Sequence, residues 1–476
     1  MKVSKSTYLT GVRPLLQQLI TALQSQFRYV SVLGADCRSR SYSVSGSGIR
    51  AQAGELHTQR GFVLRVMDDT GFAEYSFQSI SQETLPQICR QVHDSLLPLK
   101  DCPPAVITAM ERGLPEDAPL TFADATEYEL HPLTLGDEAI LSRLSAIRQV
   151  GLSADERIVD CIARLGWQEI HKVFLSPNRD LEQDLLWTDG AVMAMARRGE
   201  ELKDSYHSAS LLGGAELLDT MEALAPKAAA TALELLHSEP LPPGTYDCIC
   251  TPEVTGMIVH EAFGHGVEMD MFVKDRALAK QYVGRYVASP LVTMHDGAAA
   301  AKQTGSYFFD DEGTMACDTV VIDHGVLVTG ISDSLSAGFL GTRPTGNGRR
   351  ESFSRKAYTR MTNTWFEGGT DSPEDMIAAV SDGLLLEEPT SGMEDPKNWG
   401  IQCMVSYARE IKNGRLTGRI FSPIVLTGYV PDLLKSISMM SPTVELAGGG
   451  MCGKGYKEWV KVSDGGPYIR ANIRLG

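Results

Sequence analysis

Pro240-Leu-Pro-Pro-Gly244-Thr-Tyr-Asp-Cys-Ile-Cys250-Thr-Pro252-Glu-Val-Thr-Gly-Met-Ile-Val-His260-Glu-Ala-Phe-Gly-His265 is the stretch on which the fold turns. Three prolines and a glycine in five positions break any regular element, which places a boundary between a domain over 1–240 and another over 241–476. Tyr246–Cys250 then reads as a strand. Thr251-Pro252 reads as a helix start, with threonine as N-cap and proline at the first helical position. A strand runs straight into a helix here, but the alternation is not repeated regularly along the chain. The fold class is therefore α+β and not a doubly wound sheet.

Working upstream, Val12–Phe27 has helical spacing of Leu15, Leu16, Leu19, Ile20 and Leu23. Tyr29–Ser76 reads as consecutive strands that turn at Asp68-Asp69-Thr70-Gly71, and helical patterns recur over Gln82–Leu97, Asp137–Val150 and Leu217–Leu236. Downstream, β-like runs cover Val287–Met294, Thr319–Ile322, Gly325–Gly330, Ile401–Ile411 and Ile420–Val425. Ser372–Val380 and Pro431–Met439 read as short helices. Fifteen of the 45 glycines precede residue 240 and thirty follow it, so more strands and tight turns are expected in the second half.

Composition narrows the function classes. With 43% hydrophobic and 22% charged residues over 476 positions, the chain is an ordinary globular one, long enough for two or three cores. A net charge of −16 argues against nucleic acid as a direct partner, because neutralising phosphates needs positive fields. No apolar run approaches a membrane span, and no secretory signal is read at the start. The nine cysteines are scattered and odd in number, which points to reduced thiols in the cytoplasm. Cys248 and Cys250 form a C-x-C that reads as two small core residues of a strand, although a metal pair is the sharper alternative.

His260-Glu261-Ala-Phe-Gly264-His265 carries the chemistry. It is one residue longer than the H-E-x-x-H of common zinc peptidases. At about 100° per residue, histidines at i and i+5 lie about 140° apart on an ideal helix, against about 40° for i and i+4. Both imidazoles meet one metal only if the helix ends or bulges, for which Gly264 is the obvious place. Glu261 falls on the Val254 and Ile258 face and is drawn inward. A catalytic zinc needs a third protein ligand, and on spacing alone His295, His324 and the cysteines all compete. A pair of hydrogen-bonded core histidines is the plain alternative.

Other candidates divide similarly. Gly448-Gly-Gly-Met-Cys-Gly453-Lys454 nearly matches a phosphate loop but has Gly455 where a magnesium-binding hydroxyl belongs, so a glycine turn is the better reading. Asp310-Asp311-Glu312 reads as an exposed acidic turn, with a second metal site or an amine-binding site as the alternative. Arg343-Pro-Thr-Gly-Asn-Gly-Arg349-Arg350 is a basic loop, either solvated or carboxylate-binding. Glu268 is either a neighbour of the site or a surface carboxylate. No G-x-S-x-G elbow is present, which disfavours a serine hydrolase.

The segment His260-Glu-Ala-Phe-Gly-His265-Gly-Val-Glu268 resembles the signature helix of the TldD/PmbA family, labelled "modulator of DNA gyrase", which includes zinc metallopeptidases. Leu241-Pro-Pro-Gly-Thr-Tyr246, Val287-Ala-Ser-Pro-Leu-Val-Thr293, Phe309-Asp-Asp-Glu-Gly-Thr314, Arg360-Met-Thr-Asn-Thr364 and Cys452-Gly-Lys454 follow the family order, and Arg65–Ala73 resembles its N-terminal strand pair. The resemblance implies an N-terminal α/β domain and a C-terminal β-rich catalytic domain. It implies zinc (Zn2+) on His260, His265 and Cys452, with Glu261 as general base for the metal-activated water. Possession of the His-Glu signature makes the chain similar to the TldD-like half and not to the PmbA/TldE-like half. The family commonly continues Cys-Gly-Lys with a residue and Gly-Gln, whereas Gly455-Tyr456-Lys457 stands here.

The implied function is a cytoplasmic zinc metallopeptidase cleaving unstructured peptides or leader peptides held in extended form. It would work as a dimer, either a homodimer or a heterodimer with a PmbA/TldE-like subunit, without nucleic acid or membrane. The alternative is a non-enzymatic regulatory or assembly subunit acting through protein partners.

Overall fold

The computed structural model describes residues 1–53, 59–100, 102–115, 117–455 and 457–476. Tyr456, part of the departure from the family pattern, lies outside them, as does 54–58 within the Tyr29–Ser76 run. The fold is α+β.

Residues 29–211 build one nine-stranded sheet. Its centre is three long strands, Tyr29–Ser45, Ile158–Leu175 and Arg179–Arg198, paired antiparallel. Among the described residues, the one parallel pairing in this sheet joins Leu120–Ala125 to Arg179–Arg198. Helix Thr7–Leu23, capped by the Ser6 hydroxyl accepting from the Leu9 N–H, lays Leu9, Leu16, Leu19, Ile20 and Leu23 into one core. Helices Asp137–Leu152 and Leu224–Leu235 cover a second core with Ile140, Leu144, Ile147, Ala228 and Ala232. The expected helix over Leu217–Leu236 is two helices, Leu217–Met221 and Leu224–Leu235.

Among the described residues from 244 onward there are two larger sheets and two two-stranded ribbons. Strands Gly244–Cys250, Asp382–Asp395, Gly400–Lys412, Ile424–Tyr429 and Ile469–Leu475 pair in that order. The last pairs back on the first, so these strands close into a ring. A six-stranded sheet, whose middle members are Met294–Asp296, Asn363–Phe366 and Ser463–Gly466, packs nearby. Helix Pro252–Val259 is caught between the two larger sheets and is buried along its length except at Glu253, in keeping with its largely apolar sequence.

Among the described residues, seventeen of the twenty-six strands lie after residue 240, as the glycine usage suggests, although the three longest lie in the first half. Two expectations are corrected. Val287–Met294 is loop until Met294, because Pro290 cannot donate to a ladder. Asp310-Asp311-Glu312 is not an exposed turn: the three residues are 2%, 6% and 3% exposed. Asp310 accepts three backbone N–H bonds, from Glu312, Thr314 and Gly348. Asp311 pairs with Lys172, and Glu312 with Arg65 at 2.7 Å. With Arg350–Glu74 at 2.6 Å and Arg179 donating to the Gly313 carbonyl at 2.9 Å, this turn bolts the nine-stranded sheet to the rest of the chain.

Candidate metal centre

The helix that begins at Pro252 changes pitch where the chemistry starts. It is an α-helix to Val259, a π turn over His260–Gly264 and a 3-10 turn over His265–Val267. The His265 N–H donates to the His260 carbonyl, an i+5 to i bond. The wider turn brings residues five apart to one side, which an α-helix would not do. The imidazole centroids stand 5.2 Å apart at 86°. Gly264 serves this turn by close packing and not by a left-handed backbone: a Cβ there would lie 2.2 Å from Met361 Sδ.

Cys452 arrives from 187 residues away, on the short hairpin Met451–Lys454 and Lys457–Lys461, where it lies opposite Val460. Its Sγ is 3.4 Å from His265 Nε2, and the donor atoms of His260, His265 and Cys452 all lie within 4.8 Å of one another. No other cluster of this kind occurs among the described residues. The competitors are engaged elsewhere. His295 sits between Asp318 at 2.7 Å and Glu367 at 2.9 Å, and His324 is a solvent-facing residue bonded to Asp323. Cys248 and Cys250 are buried in the core.

The charges around the cluster are those of a cation site. Burial alone would raise the Cys452 thiol; the imidazoles of His265 and His260 overcome this and hold it well below the ordinary thiol range. Burial alone would lower His260, but Cys452 lifts it to about 9. His260 Nδ1 is buried without a hydrogen bond, 3.8 Å from Asp464 Oδ2. Burial raises that carboxyl to about 6 although His260 pulls it down. Two imidazoles and a thiolate, drawn together with one buried ring nitrogen unpartnered, fit a soft divalent metal such as zinc.

Glu268 is no surface carboxylate. At 1% exposure it receives Arg360 Nε at 3.0 Å and Lys454 Nζ at 3.1 Å, and its other neighbour is His265 Nδ1 at 3.5 Å. Arg360, wholly buried, also donates through Nη2 to Cys452 Sγ at 2.9 Å and through Nη1 to the Glu458 carbonyl. Lys454 reaches Asp270 at 2.7 Å.

Glu261 is half-buried at the mouth of a cavity of about 680 Å³ that the three donors also line. Its stem rests on Gly392, where a Cβ would lie 2.4 Å from Glu261 Cγ. Ser391, Gly392, Met393 and Glu394 form the opposite wall. They belong to strand Asp382–Asp395, which pairs with Gly244–Cys250 only over 383–386 and so has one unpaired edge beyond.

Sequence reading missed Asp464, Gly392 and Glu394, which carry no local signal. Arg360 and Lys454 stand in the sequence only as members of the family-like stretches Arg360–Thr364 and Cys452–Lys454. The basic loop is not an open carboxylate receptor. Arg349 donates to the carbonyls of Met361 at 2.5 Å and Lys461 at 2.7 Å, and Arg350 is spent on Glu74. The glycine run 448–450 precedes a hairpin strand and not a helix, which removes the phosphate-loop alternative.

Residues 243–474 match the family described as "PmbA/TldA metallopeptidase C-terminal domain". The chain is 33% identical over 282 residues to a metalloprotease of Methanocaldococcus jannaschii, covering 59% of this chain and 62% of that one. It is 32% identical over 252 residues to a metalloprotease TldD homolog of Buchnera aphidicola, 52% of each chain. It is 26% identical over 311 residues to a zinc metalloprotease TldD homolog of Saccharolobus solfataricus, 64% of this chain and 69% of that one. The matches to the first two relatives thus span about 60% of their length. Among solved structures, a protein described as a modulator of a DNA gyrase from Thermotoga maritima shares the fold with a TM-score of 0.77 at 16% identity, covering 98% of this chain and 100% of that one. TldE from Thermococcus kodakarensis does so at 0.74 and 17%, covering 96% and 99%.

Proposed function

This chain belongs to the PmbA/TldD family, and from that premise we propose that it is a zinc-dependent peptidase acting on unstructured peptides, with residues 241–476 as its catalytic domain and 1–240 as an α/β domain bolted to it. The observation that carries the reading is the convergence of His260, His265 and Cys452 beside Glu261. His260, His265 and Cys452 would hold the metal. When bound, zinc supplies Lewis acidity and lowers the pKa of water towards about 7.

The other roles fall to the chain's own groups. Glu261 takes the proton from the attacking water as its oxygen bonds to the scissile carbonyl carbon. The same carboxyl gives that proton to the leaving amine as the C–N bond breaks. Gly392 leaves Glu261 the room to do so. Glu268 steadies the His265 imidazole from behind, and the Asp464 carboxylate lies 3.8 Å behind that of His260 without a hydrogen bond to it. The unpaired edge of strand Asp382–Asp395 faces the cavity through Ser391–Glu394, which supports binding of an extended peptide as an added strand, read through its backbone with loose side-chain choice.

We assign the chain to the cytoplasm, in keeping with nine free thiols. We assign it a dimeric state, with itself or with a PmbA/TldE-like subunit. A regulator working only through protein contacts would have no use for this donor set beside a carboxylate. The test is metal analysis of the purified chain, alone and with such a subunit, together with cleavage of an unfolded peptide. Stoichiometric zinc and cleavage that Glu261→Ala abolishes while keeping the metal are expected. A chain without metal, or equal cleavage by Glu261→Ala, overturns the proposal.

A further inference from the structure

We propose that Arg360 is a positioning residue that acts on the metal through sulfur: its guanidinium donates to the Cys452 thiolate and withdraws electron density from it, so that a bound metal keeps the Lewis acidity a thiolate ligand would otherwise remove. This rests on the metallopeptidase reading of the same site. The problem it addresses is intrinsic to the donor set, because a thiolate cancels one of the metal's two positive charges where a third imidazole would cancel none.

The geometry singles out Arg360 for the task. Its side chain is 0% exposed, and burying a guanidinium so completely is unfavourable unless every donor is used. Two anchors fix it: Nε on Glu268 Oε1 at 3.0 Å and Nη1 on the Glu458 carbonyl. The planar fork then aims Nη2 at Cys452 Sγ, 2.9 Å away. A role as counter-ion to Glu268 does not account for it, since Lys454 already stands 3.1 Å from that carboxylate. Nor is Arg360 needed to bring Cys452 into place, because the hairpin pairing with Val460 does this through the backbone. What remains is the hydrogen bond to sulfur, of the kind by which groups outside the ligand set adjust a metal centre.

The test uses the full-length chain loaded with cobalt, whose sulfur-to-metal charge-transfer band reports the electron richness of the thiolate. Two variants are compared with the parent. Arg360→Lys keeps a cation beside Glu268 but lacks the fork that reaches sulfur. Arg360→Met removes both. Both variants are expected to bind one cobalt and to show the band at longer wavelength, because a thiolate freed of its donor gives up an electron more readily. Peptide turnover is expected to fall roughly 10–100-fold in kcat with KM little changed. A band that stays in place in both variants overturns the inference. So do folded variants that take up no cobalt while the parent does, because Arg360 would then build the site and not tune it. A parent chain that binds no cobalt overturns the metallopeptidase reading and this inference with it.

Discussion

At the residue scale, the site depends on a glycine that holds no ligand. Gly392 stands where any side chain would meet Glu261 at 2.4 Å, on a strand with little freedom to retreat. Gly392→Ala is expected to keep the metal and lower peptide turnover by at least about 100-fold, as misplacing a reacting group by about 1 Å does. Metal content and turnover measured on one preparation check this. The same residue shows where sequence reading stops. His260 and His265 stand out because five residues separate them on one helix. Cys452, Arg360, Asp464 and Gly392 lie 95 to 199 positions beyond His265 and are adjacent to the motif only in three dimensions, and nothing in their own neighbourhoods marks them. Cys452 is legible through family resemblance and not through spacing.

At the element scale, local signals located most elements and misjudged their chemistry in places. The two Ser/Thr-Pro helix starts look alike in sequence. Ser372 caps Pro373–Ala378 by accepting from the Asp375 N–H, whereas the Thr251 hydroxyl is buried without any partner. Ser372→Ala is therefore expected to destabilise by about 1 kcal/mol. Thr251→Val, which keeps the shape and deletes an unsatisfied hydroxyl, is expected to be neutral or stabilising. Urea unfolding of the two variants checks the contrast, and equal losses would remove it. Tertiary packing overrode pattern elsewhere. Ile420–Val425 looks like one strand but spans the end of Arg415–Phe421 and the start of Ile424–Tyr429, parted by the cis Ser422–Pro423 bond. The sequence offers the π turn at His260–Gly264 only as one remedy for an awkward spacing; its i+5 to i bond goes with the close packing of Gly264 against Met361, which no local pattern shows.

At the scale of the whole molecule, buried ion pairs fasten the nine-stranded sheet to the remainder of the chain, and a sequence cannot show that an acidic run is buried when its partners lie 139 and 247 residues away. Arg65→Met leaves the buried Glu312 without its guanidinium and is expected to destabilise by about 3–5 kcal/mol. The loss would be seen as a lower urea midpoint, and an unchanged midpoint would show that the pair contributes nothing. The separation of the donors has a consequence in time. The thiol follows His265 by 187 residues, so at roughly 5–20 residues per second a ribosome spends about 10–40 s between them. Through that interval the growing chain carries the two imidazoles without the Cys452 thiol. On the peptidase reading proposed above, the chain is not yet a peptidase while it is itself still an unfolded peptide.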